Sequence, residues 1–237
     1  LVSGSLGHLL INAGTSWYQA LQVERITGQL EQENLDRILL TSRRFPVSGG
    51  AAHVSQAFDD VPVHIHPDGQ AALETGDFFT TWANRYDSDM PRTITEPLTE
   101  DDVFPMGGGE VLPLHLPGHT NDGMGFHIPH LSTLVVGALL PRADRPTRWD
   151  LPGGSLMDVI SSFHRIKRLE LTSIVPLQGP AIRGEDHVRD VLNRHISFFE
   201  EVVENNGQPP ASWDRPATTA VWLTPRSPWP LEEQESV

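Results

Sequence analysis

Histidine, aspartate, arginine and serine carry whatever chemistry this chain performs, because it has no cysteine and therefore no thiolate nucleophile, zinc–thiolate site or disulfide. His64 and His66 stand one residue apart, which on a strand puts both side chains on one face at a spacing suited to metal. Together with His115 they form one candidate metal cluster; a structural role for the pair is the competing reading. Ser42 could act as a nucleophile with His119 as its base and Asp122 as the orienting third group. Nothing around Ser42 reads G-x-S-x-G, however. Gly107-Gly108-Gly109 precedes a strand rather than joining a strand to a helix, so it is expected to be a turn and not a phosphate loop. His127 and His130 flank Pro129 in an expected hairpin turn, where surface exposure is the simpler reading.

The elements that would position these residues alternate between strand and helix, which places the chain in the α/β class. Strands are expected at Leu6–Ile11, Asp36–Thr41, Val61–Ile65, Glu110–Leu116, Met124–Ile128, Thr133–Val136 and Ser173–Pro176. Helical spacing covers Tyr18–Ile26, Gly49–Phe58, Pro67–Leu73, Phe78–Tyr86, Ser155–Leu169 and Glu185–Asn205. Asp87–Asp102, rich in Pro, Thr and charge, reads as an irregular connection. A domain over residues 1–205 and an extension over 206–237 are the expected organisation. The extension is rich in Pro and acid and carries Trp213, Trp222 and Trp229, which would pack on the domain or a partner.

Composition narrows the function. Thirty-one acidic residues against 17 basic ones leave a formal net charge of −14, and Lys167 is the single lysine. Such a surface repels nucleic acid and anionic membranes. The acid excess suits a high-salt cytoplasm, where screening relieves self-repulsion; a GC-rich genome exchanging Lys for Arg is the alternative. The longest apolar run, around Leu131–Leu140, is too short to cross a bilayer, and no signal peptide is evident, so a cytoplasmic location is expected.

Five segments, in order, resemble the landmarks of the metallo-β-lactamase superfamily. Leu9-Leu10-Ile11-Asn12-Ala13-Gly14 is similar to its L-I-D-x-G opening. Ile38-Leu39-Leu40 followed by Thr41-Ser42-Arg43-Arg44-Phe45-Pro46-Val47-Ser48-Gly49-Gly50 has the frame of an apolar strand and T-H-x-H-x-D-H-x-G-G. Leu116-Pro117-Gly118-His119-Thr120 is similar to P-G-H-T, Leu134–Leu140 to L-F-x-G-D, and Val175-Pro176-Leu177-Gln178-Gly179-Pro180 to V-P-G-H-G-P. The resemblance implies an αββα sandwich, two mixed sheets face to face with helices outside. It also implies, for active members, one or two zinc or iron ions that generate hydroxide and polarise the scissile group.

In that frame the first motif reads Ser42, Arg44, Pro46 and Val47 where the family has His, His, Asp and His. Ala138 replaces the bridging Asp and Gln178 the last His; His119 alone remains. A divalent ion needs three or four donors, so no metal and no other cofactor is expected at the family's site. What remains is a vestigial pocket of Ser42, Arg44, His119, Thr120, Ala138 and Gln178, in which Arg44 would supply positive charge and take a carboxylate or phosphate. Pairing of Arg44 with a local Asp, or exposure to solvent, is the competing reading. The leading expectation is an inactive or altered family member serving as scaffold, partner subunit or small-anion binder, forming a homo-oligomer or a complex with another protein. A metal-free hydrolase of an ester, thioester or lactone, and a hydrolase with a relocated site at His64, His66 and His115, are the alternatives.

Overall fold

Short apolar runs punctuated by Gly and Pro cannot each bury themselves; in the computed structural model, which describes residues 1–31 and 33–210, they assemble into two sheets. The first contains β1 (Val2–Gly4), β2 (Gly7–Ile11), β3 (Arg37–Leu39), β4 (Val63–Ile65) and β5 (Glu96–Pro97), in that order. β1 and β2 form an antiparallel hairpin, and β2 through β5 run parallel. The second contains β6 (Phe104–Pro105), β7 (Glu110–His115), β8 (Met124–Ile128), β9 (Thr133–Val136), β10 (Ser173–Val175) and β11 (Ile182–Arg183), in spatial order 11-10-9-8-7-6. Only β9 and β10 pair parallel there. The helices are α1 (Gln19–Leu30), α2 (Phe45–Ser48), α3 (Ala51–Ala57), α4 (Pro67–Thr75), α5 (Leu156–Lys167) and α6 (Glu185–Glu204).

Three apolar layers separate the parts. Leu9, Leu39, Phe104, Val111, Met124 and Phe126 fill the space between the sheets. Leu10, Leu30, Ile38, Leu40, Val54, Ile65 and Leu73 cover the outer face of the first sheet with α1, α3 and α4. Leu134, Val136, Phe163, Ile174, Leu192 and Phe199 join the second sheet to α5 and α6. Alternation explains the division: Leu9 and Leu10, or Ile38 and Leu39, are neighbours on a strand and so face opposite layers. This is the αββα sandwich that the sequence predicts. Among the described residues no helix is long and apolar enough to cross a membrane.

Several local expectations change. The strand expected from Leu6 begins at Gly7, because Leu6 sits exposed in the tight turn that joins β1 to β2. The segment Phe78–Tyr86 is not one helix: Asp77 accepts bonds from the Phe79 and Thr80 amides, and Trp82 takes a left-handed backbone (φ 67°) that ends any regular helix. A 3₁₀ turn, Ala83–Tyr86, is what remains. The irregular stretch before Asp102 contributes β5, and β1, β6 and β11 are likewise edge strands of two or three residues, too short for periodicity to signal. The helix expected over Gly49–Phe58 shortens to α3, and Gly49-Gly50 separates it from α2, a single turn that the sequence reading left out. The tail tryptophans lie outside the described residues.

Candidate functional site

Loops leaving the ends of β3, β7, β9 and β10 meet at one edge of the sandwich. Thr41 ties them: its backbone N–H and hydroxyl both donate to Asn12 Oδ1 at 2.9 Å, and its carbonyl accepts from the Met124 amide at 2.8 Å. Gly137 passes so close that a Cβ there would stand 2.5 Å from Thr41 Cβ. The Pro117-Gly118 turn is pressed on the start of α5, where a Gly118 Cβ would meet the Val159 backbone at 2.7 Å. The Ser155 amide donates to Gly118 O and the Ser162 hydroxyl to Pro117 O. Four loops are thereby held at fixed separations.

Two adjacent arginines enter this edge and are treated differently. Arg43 is matched by Asp122, which is fully buried. Its backbone N–H donates to Asp122 Oδ2 and Nη1 to Asp122 Oδ1, both at 2.6 Å. Nη1 also reaches Asn121 Oδ1 at 2.8 Å, and Asn121 Nδ2 donates to Asp68 Oδ2 at 2.9 Å. A Cβ at Gly69 would come within 2.6 Å of Asp122 Oδ2, so only glycine lets the first turn of α4 close over the carboxylate.

Arg44, 4% exposed, has no carboxylate partner among the described residues. Nη1 donates to Thr80 O at 3.1 Å and Nη2 to Pro152 O at 2.9 Å. Its guanidinium lies 5.0 Å from the Trp82 ring centroid, where the ring's quadrupole favours a cation. Burial, and then the neighbouring Arg43 charge, lowers its pKa to about 10, still well above neutrality. Arg148, equally buried, also lies over Trp82, at 5.9 Å, and grips Asp150 through Nε and Nη2. Buried Nε of Arg43, Nε of Arg44, Nη1 of Arg148 and the Thr120 hydroxyl have no hydrogen-bond partner among the described residues. Three guanidinium groups therefore share a buried edge with two matched carboxylates.

His119 is buried beside them. Its Nδ1 lies 3.1 Å from Arg148 O and 3.2 Å from Thr147 Oγ1. A carbonyl can only accept, so Nδ1 carries the proton and Nε2 is the acceptor nitrogen of the neutral ring. Burial, then the Arg44 charge, pushes its pKa down to about 3, so the ring is neutral through the physiological range.

The residues expected to form a vestigial pocket lie as follows. Ser42, Arg44, His119 and Thr120 are buried at the edge, and Gln178 is half-buried with its backbone N–H donating to Pro141 O at 2.9 Å. Ala138 contributes its carbonyl, which accepts from Thr147 Oγ1 at 2.6 Å. Arg44 neither pairs with an Asp nor faces solvent. Ser42, His119 and Asp122 do not form a relay: the Ser42 hydroxyl accepts from the Arg44 amide at 3.3 Å, Nδ1 of His119 is spent on Arg148 and Thr147, and Asp122 is committed to Arg43. Of the second cluster, His66 and His115 stack with centroids 4.2 Å apart, while His64 turns to Phe104 and Glu96. Among the described residues no three His, Asp or Glu side chains converge as metal ligands would. His130 is exposed and His127 half-buried on β8. Arg43, Arg148, Thr147 and Trp82 escaped sequence reasoning; Arg148-Trp149-Asp150 offered a charge pattern but no frame that placed it at this edge.

A family profile described as the metallo-beta-lactamase superfamily matches residues 1–178. The di-iron-bound form of the protein TTHA1623 is 29% identical, covers 77% of this chain and 87% of its own, and superposes with a TM-score of 0.63. The B3 metallo-β-lactamase BLEG-1 is 22% identical over 80% of this chain and 89% of its own, TM-score 0.66. A metallo-β-lactamase of Cronobacter sakazakii, described by its HARLDQ motif, is 15% identical over 86% and 90%, TM-score 0.67. An uncharacterized protein of Aquifex aeolicus (strain VF5) is 36% identical over 69 residues, so the match spans about a third of that relative.

Proposed function

This chain belongs to the metallo-β-lactamase superfamily, and from that premise we propose that it is an altered member whose former metal edge holds a small anion instead of a cation. The observation that carries this reading is buried Arg44, a protonated guanidinium with no carboxylate partner among the described residues, beside donors on Arg148 and Thr120 that none of those residues meets. Nature seldom buries such a charge without a counterion, because desolvation costs several kcal/mol per ion. A carboxylate or phosphate supplies that counterion and accepts the free N–H and O–H groups.

The residues at this edge do not fit the family's metals. Val47 and Ala138 present no side-chain donor, Pro46 none either, and Arg44 opposes a dication. His119 has one nitrogen already committed to Arg148 O. These residues leave a metal-activated hydroxide without a ligand set. The H-A-R-L-D-Q motif named for the Cronobacter enzyme, set beside Ser42-Arg43-Arg44-Phe45-Pro46-Val47, also has arginine at its third place. That enzyme's motif keeps the first His and the Asp, which this chain lacks, so the substitution goes further here.

The scaffold role, as a subunit of a homo-oligomer or of a complex with another protein, belongs to the same reading, as does adaptation of the acidic surface to high salt. The test combines two measurements on the protein purified in high salt. Elemental mass spectrometry is expected to find less than about a tenth of an equivalent of zinc, iron or manganese, since fewer than three ligands cannot retain them. Inorganic phosphate or acetate is expected to raise the melting temperature as their concentration passes Kd, and Arg44→Met to remove that rise. About one equivalent of metal, or an anion response untouched by Arg44→Met, refutes the proposal. Chelator-resistant hydrolysis of a thioester or lactone would favour the metal-free enzyme.

A further inference from the structure

A second feature adjoins the buried edge, sharing Pro46 and the Trp82 ring with it, but is argued from other residues than Arg44. A cleft of about 590 Å³ opens where the loop after β2 meets α2, and its walls are Thr15, Trp17, Tyr18, Pro46, Arg85 and Tyr86. Its volume falls within the range of small-molecule sites. Three of its lining residues, Trp17, Tyr18 and Tyr86, are aromatic; Trp17 is 47% and Tyr18 63% exposed, and large aromatics grouped in water mark a surface that something covers.

The Trp17 and Tyr86 side of the wall is held before any ligand arrives. Trp17 meets Phe45 edge-on at 5.7 Å and Tyr86 at 5.9 Å, while Phe45 and Tyr86 are 5.5 Å apart. Trp17 Nε1–H donates to Ser88 Oγ at 3.0 Å, which sets the plane of the indole. Pinned rings lose little entropy when a flat molecule settles on them.

Charge selects the occupant. In a chain of formal net charge −14, no acidic side chain among the described residues lines this cleft, and the one charged residue among its described walls is Arg85. Arg85 makes no ion pair among the described residues; its guanidinium rests 5.9 Å from the ring of Trp82, the same ring that faces Arg44 and Arg148. We infer that this cleft binds a flat aromatic carboxylate, the ring stacked between Trp17, Tyr18 and Tyr86 and the carboxylate on Arg85. No bond is made or broken; the site is for binding.

The experiment is calorimetric titration of the full chain with 2-naphthoate, its neutral analogue 2-naphthalenemethanol, and acetate. Saturable one-to-one binding of naphthoate is expected, with the neutral analogue weaker by about tenfold or more and acetate alone not registering in the cleft. Arg85→Gln should bring naphthoate down to the neutral analogue, and Tyr18→Ala should weaken both. Tyr18 is exposed, so that variant keeps its fold, and the melting temperature verifies it. Equal affinity for the two aromatics, or indifference to Arg85→Gln, overturns the inference. Sedimentation that finds a dimer, with Trp17 quenched and no naphthoate bound, assigns the cleft to a second copy and also overturns it. If excess phosphate displaces naphthoate while Arg85→Gln does nothing, the carboxylate sits on Arg44. The cleft inference then fails while the buried-anion reading survives; phosphate binding lost with naphthoate binding intact is the converse.

Discussion

Arg43 and Arg44 are neighbours in sequence, equally buried, and opposite in their electrostatics. Arg43 shares fully buried Asp122 through both its backbone amide and its guanidinium. Arg44 has two carbonyl oxygens and the face of Trp82. The first arrangement is a closed ion pair that holds the loop after β7 to the loop after β3. The second is an open charge. The contrast teaches that burial of an arginine does not report its role; its counterion does.

The largest way to probe this contrast is acid. Burial pushes the pKa of His119, on the Arg44 side, down to about 3 and that of His195, packed against Phe163 of α5, down to about 4, from about 6.5 in the unfolded chain. Below pH 6.5 the unfolded chain takes up protons that the folded chain refuses. Stability is thus fully present above about 6.5 and is lost as pH falls toward the folded values. Each histidine contributes roughly 1.4 kcal/mol per pH unit in that window, several kcal/mol in all by pH 4. Urea melts at stepped pH should show it, and His119→Gln should shallow the slope by about one proton. A slope unchanged by that variant means the ring is hydrated.

Asp122→Ala comes next. It strands Arg43 in the interior and should cost about 3–5 kcal/mol in urea unfolding. A loss below about 1 kcal/mol would mean that Arg43 escapes to water and that the pair is not the clamp described. Thr147→Val removes the hydroxyl between Ala138 O and His119 Nδ1, an expected loss of about 1–2 kcal/mol. Arg44→Met should be the smallest, within about 1 kcal/mol of neutral in ligand-free buffer, because lost contacts and relieved desolvation oppose each other. If it instead rivals Asp122→Ala, Arg44 is a structural residue and the comparison collapses.

Much of the scaffold was legible because its signals are local. Helical spacing marked α5 and α6 to within two residues at each end, and Ser155, whose hydroxyl accepts from the Asp158 amide, is a cap readable from its residue type. The edge strands were not legible: Glu96–Pro97 and Ile182–Arg183 span two residues each, too few for a period, and Glu96 finds its partner His64 far back in the chain. The left-handed backbone at Trp82 was equally hidden, since a bulky residue carries no preference for it.

The site divides along the same line. Sequence alone determined which donors are available: Ser42, Arg44, Pro46, Val47, Ala138 and Gln178 stand in the frame of the family's ligands, and composition removed cysteine from the whole chain. It also determined that the remaining charge there is cationic. Only the tertiary structure decided which arginine would be neutralised. Arg43 and Asp122 are 79 residues apart, and Arg44 reaches Pro152 across 108. Coulombic and hydrogen-bond energies depend on distance in space and on local burial, and both are set by how four loops are anchored to two sheets.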